Sequence, residues 1–310
     1  MEQENPFSEQ VRLLVSLLPQ VAKQECFALK GGTALNLFIR NMPRLSVDID
    51  LAYLRVQDRD TSLAAIDEAL AKIGVAIEKS VPGCMVRAQF LKGTNKCIKL
   101  VVAQGETTVK IEVTPVLRGS VYPPQVHEVA DCVQAEFGYV KMQLLSFEDL
   151  YAGKLCAALD RQHPRDFFDV RFLLANEGLG YRLKDAFLVY LLGHNRPMSE
   201  LLAPRMQELR FAYNAEFVGM TREPVSLKEL EDTRRQMVKQ VRQMLSDEDK
   251  QFLLAVKQGK ADWSKFPLPE VERLPAIQWK LQNLDRMDKV KRQQAIIRLE
   301  KVLHSTFRTS

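Results

Sequence analysis

The stretch that most constrains the fold runs from Leu29 to Leu54, LKGGTALNLFIRNMPRLSVDIDLAYL. It joins a glycine pair to a short amphipathic run and then to two aspartates separated by one residue. A β-strand shows alternate residues to opposite faces. In Ser46-Val47-Asp48-Ile49-Asp50-Leu51, the apolar set Val47, Ile49 and Leu51 is therefore expected to enter a core. Ser46, Asp48 and Asp50 then line the other face. Upstream, Phe27–Lys30 reads as a short strand closed by a tight turn at Gly31-Gly32-Thr33. Glycine tolerates positive φ and lets a phosphate approach the backbone. Thr33 is placed to cap a helix over Ala34–Arg40, whose N-terminus would be an anion site.

Asp48 and Asp50 repel each other and need a counter-charge. A pair of Mg²⁺ ions roughly 3.5–4 Å apart supplies one and suits phosphoryl or nucleotidyl transfer. A polar strand end is the plainer reading of an isolated Asp-x-Asp. The glycine turn and the apolar alternate face strengthen the chemical reading.

Gly31-Gly32-Thr33-Ala34-Leu35, followed by Arg44-x-Ser46-x-Asp48-Ile49-Asp50-Leu51, resembles the nucleotidyltransferase toxins of the AbiEii/AbiGii (MenT-like) family. These are the toxin halves of bacterial toxin–antitoxin pairs linked to abortive infection and phage defence. They lie within the DNA polymerase β-like nucleotidyltransferase superfamily, which adds a third carboxylate on a later strand. The candidate is Glu112, in the run Thr108–Val116, where Val109, Ile111 and Val113 face one way and Lys110, Glu112 and Thr114 the other. A solvent-facing strand glutamate is the alternative.

At 310 residues the chain is long enough for two domains. Before residue 145 the pattern is a helix over 7–24, the stretch above, and a helix from Thr61 to Ile73 stopped by Gly74. Strands follow near 84–91, 97–103, 108–116 and 139–145, with 118–137 read as a connector. This predicts an α+β fold, a mixed sheet with flanking helices, over 1–145. An all-helical domain over 146–310 follows, with helices near 184–193, 198–210, 226–256 and 276–305.

The helical part opens on FEDLYAGKLCAALDRQHPRDFFDVRFLLANEG. Lys154 and Arg161 are two turns apart and share a face with only ~20° drift. Pro164 starts a second helix, on which Asp166 and Asp169 share a face. An interhelical salt-bridge lattice explains this pattern. The order Lys154-x6-Arg161-x4-Asp166-x2-Asp169 also resembles the same family. That resemblance implies that Lys154 binds the triphosphate and that a downstream aspartate completes the site. Asp166 and Asp169 both remain open, with Asp169 the better match.

The resemblance implies an Mg²⁺-dependent nucleotidyltransferase, with Mn²⁺ as the alternative ion and an NTP as substrate. Asp48, Asp50 and Glu112 are the metal ligands, with Lys154 and Asp169 completing the catalytic set. Gly31, Gly32, Thr33, Ser46, Lys154, Arg161 and Asp166 bind the nucleotide. Family members that add nucleotides to tRNA 3′ ends make tRNA the expected acceptor, and a cognate antitoxin the expected partner. A protein-modifying nucleotidyltransferase and a catalytically degenerate nucleotide-binding module are the rival readings. The net charge of +5 permits an RNA partner. Two helix faces, Arg234, Arg235, Lys239, Arg242 and Lys280, Lys289, Lys291, Arg292, Arg298, Lys301, could track its backbone or simply be solvated surface. No run is long and apolar enough to span a membrane. The scattered cysteines fit a reducing cytoplasm.

Overall fold

The computed structural model of the chain describes residues 6–305. It divides into two compact units. One runs to Ser146 and includes Gly219–Glu223; the other comprises Phe147–Val218 and the chain from Pro224 onward.

The first unit is built on a seven-stranded mixed sheet of order β3-β4-β5-β2-β1-β7-β6. The strands are β1 Phe27–Lys30, β2 Asp48–Tyr53, β3 Cys84–Phe90, β4 Cys97–Gln104, β5 Thr107–Arg118, β6 Gln125–Glu128 and β7 Lys141–Leu144. β2 runs antiparallel to β1 and parallel to β5, and β1 runs parallel to β7. The helices of this unit are α1 Pro6–Ala22, α2 Gly31–Ala34, α3 Arg59–Ser80 and α4 Asp131–Phe137. The heptad-like face of α1 enters the core through Val11, Leu14, Val15, Leu18 and Val21. On β5, Val109, Ile111 and Val113 are buried and Glu112 is left half-buried, as period-two alternation requires.

Several local expectations change. The helix after the glycine pair begins at Gly31 rather than after Thr33, and continues as a π-helical turn over Leu35–Ile39. Thr33 is therefore not its cap. Its hydroxyl turns instead to the neighbouring strand. Gly74 does not stop α3, which continues to Ser80. A Cβ at Gly74 would stand 3.4 Å from Val86 Cγ1, so the glycine lets the helix lie close on the sheet. That packing outweighs a propensity cost of about 1 kcal/mol. The connector 118–137 contains β6 and α4. β6 is an exposed edge strand and α4 buries only Val133, so neither writes an apolar period. Finally, Gly219–Glu223 adds to the first unit beside the loop that precedes β2. Leu45 N–H donates to Met220 O at 2.8 Å and Arg222 N–H to Pro43 O at 3.0 Å.

The second unit is helical: α5 Phe147–Arg161, α6 Pro164–Asn176, α7 Tyr181–Gly193, α8 Met198–Leu202, α9 Arg210–Glu216, α10 Leu227–Gln243, α11 Asp247–Gln258, α12 Pro275–Asp285 and α13 Lys289–His304. The expected helix 226–256 breaks in two because Ser246 and Asp249 form a capping box that starts α11. The run 198–210 gives the short α8 and an irregular link before α9. No helix among the described residues is long and apolar enough to cross a membrane.

The returning segment makes one prediction. Arg222→Pro removes the donor to Pro43 O and should cost about 1 kcal/mol or more. A lower urea midpoint with an unchanged slope would register that loss. A wild-type midpoint would show that the segment adds nothing to the loop.

Candidate active site

The glycine pair and β2 form one closely packed corner of the first unit. Gly31 has φ +75°, a conformation side chains disfavour, and a Cβ there would lie 2.6 Å from Asp50 Oδ2. A Cβ on Gly32 would lie 2.7 Å from Arg44 Nη2 and 3.0 Å from Ser46 Oγ. Both positions are thus closed to side chains by the groups of the Arg44-x-Ser46-x-Asp48-x-Asp50 run. Thr33 is fully buried. Its Oγ1 donates to Asp48 O at 2.5 Å and lies 3.0 Å from Ser46 Oγ. Asn36 Nδ2 donates to Gly32 O at 2.9 Å. Gly31, Gly32 and Thr33 are the first residues of a helix, so their N–H groups have no partner within it.

The carboxylates follow from register. Asp50 pairs with Glu112 across the parallel β2–β5 ladder, so the two side chains stand abreast on one face. Asp48 pairs with Lys110 one step earlier on the same face. Glu112 also makes a salt bridge to Lys99 Nζ at 2.8 Å from the opposite flank. Among the described residues, no three His, Cys, Asp or Glu side chains stand close enough to hold a metal ion by themselves. The expected trio of Asp48, Asp50 and Glu112 is therefore not gathered, and Glu112 is engaged by Lys99. Mg²⁺ usually binds through one or two carboxylates plus substrate phosphates. Asp50, aimed past a bare Gly31 Cα, fits a cation that arrives with a nucleotide.

In the second unit, α5 and α6 bring Lys154, Arg161, Asp166 and Asp169 together. Lys154 Nζ lies 2.9 Å from Asp166 Oδ1 and 2.8 Å from Asp169 Oδ2. Arg161 clamps Asp166 through Nε at 2.6 Å and Nη2 at 2.8 Å. Lys154, Asp166 and Asp169 are all buried, and the cluster meets solvent through Arg161. Burial alone would raise the Asp166 pKa. The Lys154 charge and the Arg161 fork outweigh it and hold the carboxyl well below the ordinary range.

The two basic faces are partly spent on structure. Arg234 is buried, stacked 5.9 Å from the Phe167 ring centroid, and donates to Gln207 O at 2.6 Å. Arg242 Nη2 donates to Val302 O at 2.7 Å, Arg292 Nε to Lys257 O at 3.0 Å and Lys280 Nζ to His194 O at 2.6 Å. Lys239, Lys289, Lys291, Arg298 and Lys301 remain exposed. Two residues of the β2 corner escaped the sequence reading of the site. Arg44 was visible as part of the motif, and its burial gives it a role. Lys99 carries no signal beyond the alternation of its strand.

A mixed sheet that presents neighbouring carboxylates beside a glycine-led helix defines a nucleotidyltransferase-type domain. The family profile described as "Nucleotidyl transferase AbiEii toxin, Type IV TA system" matches residues 12–283, and the chain belongs to that family. Membership implies transferase chemistry on an NTP and a cognate antitoxin. The structure is similar to MenT4, a nucleotidyltransferase toxin from Mycobacterium tuberculosis, at a TM-score of 0.59 and 16% identity. The match covers 96% of this chain and 94% of that one. At that identity the likeness is one of fold. No curated protein matches the chain in sequence.

Two outcomes are expected. Gly32→Ala should displace the Arg44 guanidinium and lower transfer at least about tenfold while the protein still folds, as read by nucleotide incorporation beside circular dichroism. Full activity would show that the corner has slack. For Asp166, the native pKa is depressed, so the unfolded carboxyl takes up its proton first, near pH ~4. The stabilisation is complete above that pH and is lost as pH falls through and below it. Asp166→Asn leaves Lys154 without one buried counter-charge and should cost about 3–5 kcal/mol at pH 7. Its deficit against wild type in urea should shrink steadily between pH 5 and pH 2, and a deficit independent of pH would contradict the assignment.

Proposed function

We propose that the chain is the toxin of a type IV toxin–antitoxin pair that transfers nucleotides from an NTP to the 3′ end of tRNA, so blocking translation. The observation that carries the chemistry is the placement of Asp50: seated on Gly31, abreast of Glu112 and two residues from Asp48. In this reading Asp48, Asp50 and Glu112 would hold Mg²⁺, or Mn²⁺, with triphosphate oxygens completing the shell. Such an ion supplies charge stabilisation at the reacting phosphorus and lowers the pKa of the attacking hydroxyl. The N–H groups of Gly31, Gly32 and Thr33 and the Ser46 hydroxyl bind phosphate oxygens. The acceptor 3′-hydroxyl oxygen bonds to the α-phosphorus as the bond to pyrophosphate breaks, and the hydroxyl proton passes to the carboxylate row. Catalysis is then chiefly positioning and electrostatics.

Lys154 neutralises triphosphate charge in this reading, with Asp169 as the site carboxylate. Asp166 stands beside it in the nucleotide-binding set and orders both cations, taking donors from Lys154 and from Nε and Nη2 of Arg161. The tRNA assignment is supported by the family resemblance and by the exposed cations of α13, Lys289, Lys291, Arg298 and Lys301. Phosphate contacts position an RNA without reading its sequence. Action in the cytoplasm, where NTPs and tRNA are both present, is part of this reading.

The test incubates pure protein with Mg²⁺, each labelled NTP in turn and total tRNA. Label should appear in tRNA and vanish when the 3′-terminal ribose is oxidised by periodate, and Asp50→Ala should abolish it. Label only in protein would make the acceptor a polypeptide, and no label with any NTP would favour a nucleotide-binding module without activity.

A further inference from the structure

One row of side chains crosses four strands of the first unit. Lys30 on β1 pairs with Asp50 on β2, Asp50 with Glu112 on β5, and Glu112 with Lys99 on β4. Residues directly opposite one another in a sheet project to the same face, and like charges placed so repel. The row therefore reads cation, anion, anion, cation. Its two outer lysines offset the two inner carboxylates without any bound ion. At one end the offset is a made contact, Lys99 Nζ to Glu112 Oε2 at 2.8 Å. At the other, Lys30 ends its strand one residue before the Gly31 that seats Asp50.

We infer that Lys30 and Lys99 are built-in counter-charges for the two inner carboxylates, and that Glu112 would have to exchange Lys99 for a divalent cation in order to help hold one. The inference rests on the reading of Asp50 and Glu112 as cation ligands. The Lys99–Glu112 pair suits a displaceable latch because both partners reach solvent: their side chains are 24% and 45% exposed. Pairs of that kind are weak, so the latch holds the carboxylate without sealing it from an incoming cation. The row also explains why the three expected carboxylates are not gathered: Glu112 is turned toward the flank where its counter-charge already stands. Lys30 and Lys99 are positioning residues in this account, since they act on the cation through the carboxylates.

The experiment measures Mn²⁺ binding directly, by loss of the free-ion electron paramagnetic resonance signal, with and without a non-hydrolysable NTP. Thermal unfolding is followed in parallel with and without Mn²⁺. Lys99→Met should bind Mn²⁺ about two- to fivefold more tightly than wild type, the range a weak exposed pair allows. Its unfolding temperature should be lower without the ion, and it should gain more from Mn²⁺ than wild type does. The double variant Lys30→Met/Lys99→Met should exceed the single one in each respect. Lys99→Arg keeps the charge and should bind Mn²⁺ as wild type does. Wild-type Mn²⁺ affinity in Lys99→Met, while Asp50→Asn weakens binding in the same assay, would overturn the counter-charge role and leave the cation-ligand reading intact. Mn²⁺ binding that is absent from wild type, or indifferent to Asp50→Asn, would overturn both.

Discussion

The approach of the Gly31–Gly32 backbone to β2 sets the geometry on which the first unit depends. Two consecutive residues without side chains let the start of a helix lie within contact distance of Asp50, Arg44 and Ser46. Thr33 then locks that approach from the same turn by bonding to the strand that carries the aspartates. β2 sits between β1 and β5 in the middle of the sheet. A one-residue slip in its register would turn Asp48 and Asp50 into the core and bring Ile49 and Leu51 out. The apolar alternation of β2 and β5 resists that slip, so the same residues that build the core also aim the carboxylates.

The parts of this arrangement that were readable in advance are those written in local period or in backbone necessity. β1 and the alternate faces of β2 and β5 follow from the order of apolar residues, and the glycine pair announces a backbone that must come close to something. What was hidden depends on partners distant in sequence. Thr33 looks like a cap because the strand that competes for its hydroxyl lies fifteen residues on. Gly74 looks like a stop because its packing against Val86 is tertiary. Lys99 looks like one more polar residue on a wet strand face until β4 is laid beside β5. Arg234 looks like part of a solvated stripe until Phe167 and the carbonyl of Gln207 enclose it. β6 and α4 bury too little to leave a pattern at all.

The charged cluster of the second unit raises a different question of economy. Taking Lys154, Asp166 and Asp169 out of water is expensive, and their mutual attraction with Arg161 only offsets that expense. Apolar side chains of the same volume would hold α5 to α6 at least as well. Stability by itself therefore does not account for so many ionised groups in a helix interface.

The return of Gly219–Glu223 to the first unit has a bearing on how the chain can be divided. The polypeptide leaves that unit after Ser146, re-enters at Gly219 and leaves again after Glu223. A fragment ending near residue 146 would keep every strand of the sheet but lose the piece that pairs with Pro43 and Leu45, immediately ahead of the aspartate strand. The helical half is consequently not an appendage that could be exchanged for another by a single fusion joint. Any recombination that preserved the corner between the glycine pair and the aspartate strand would have to carry both junctions across together.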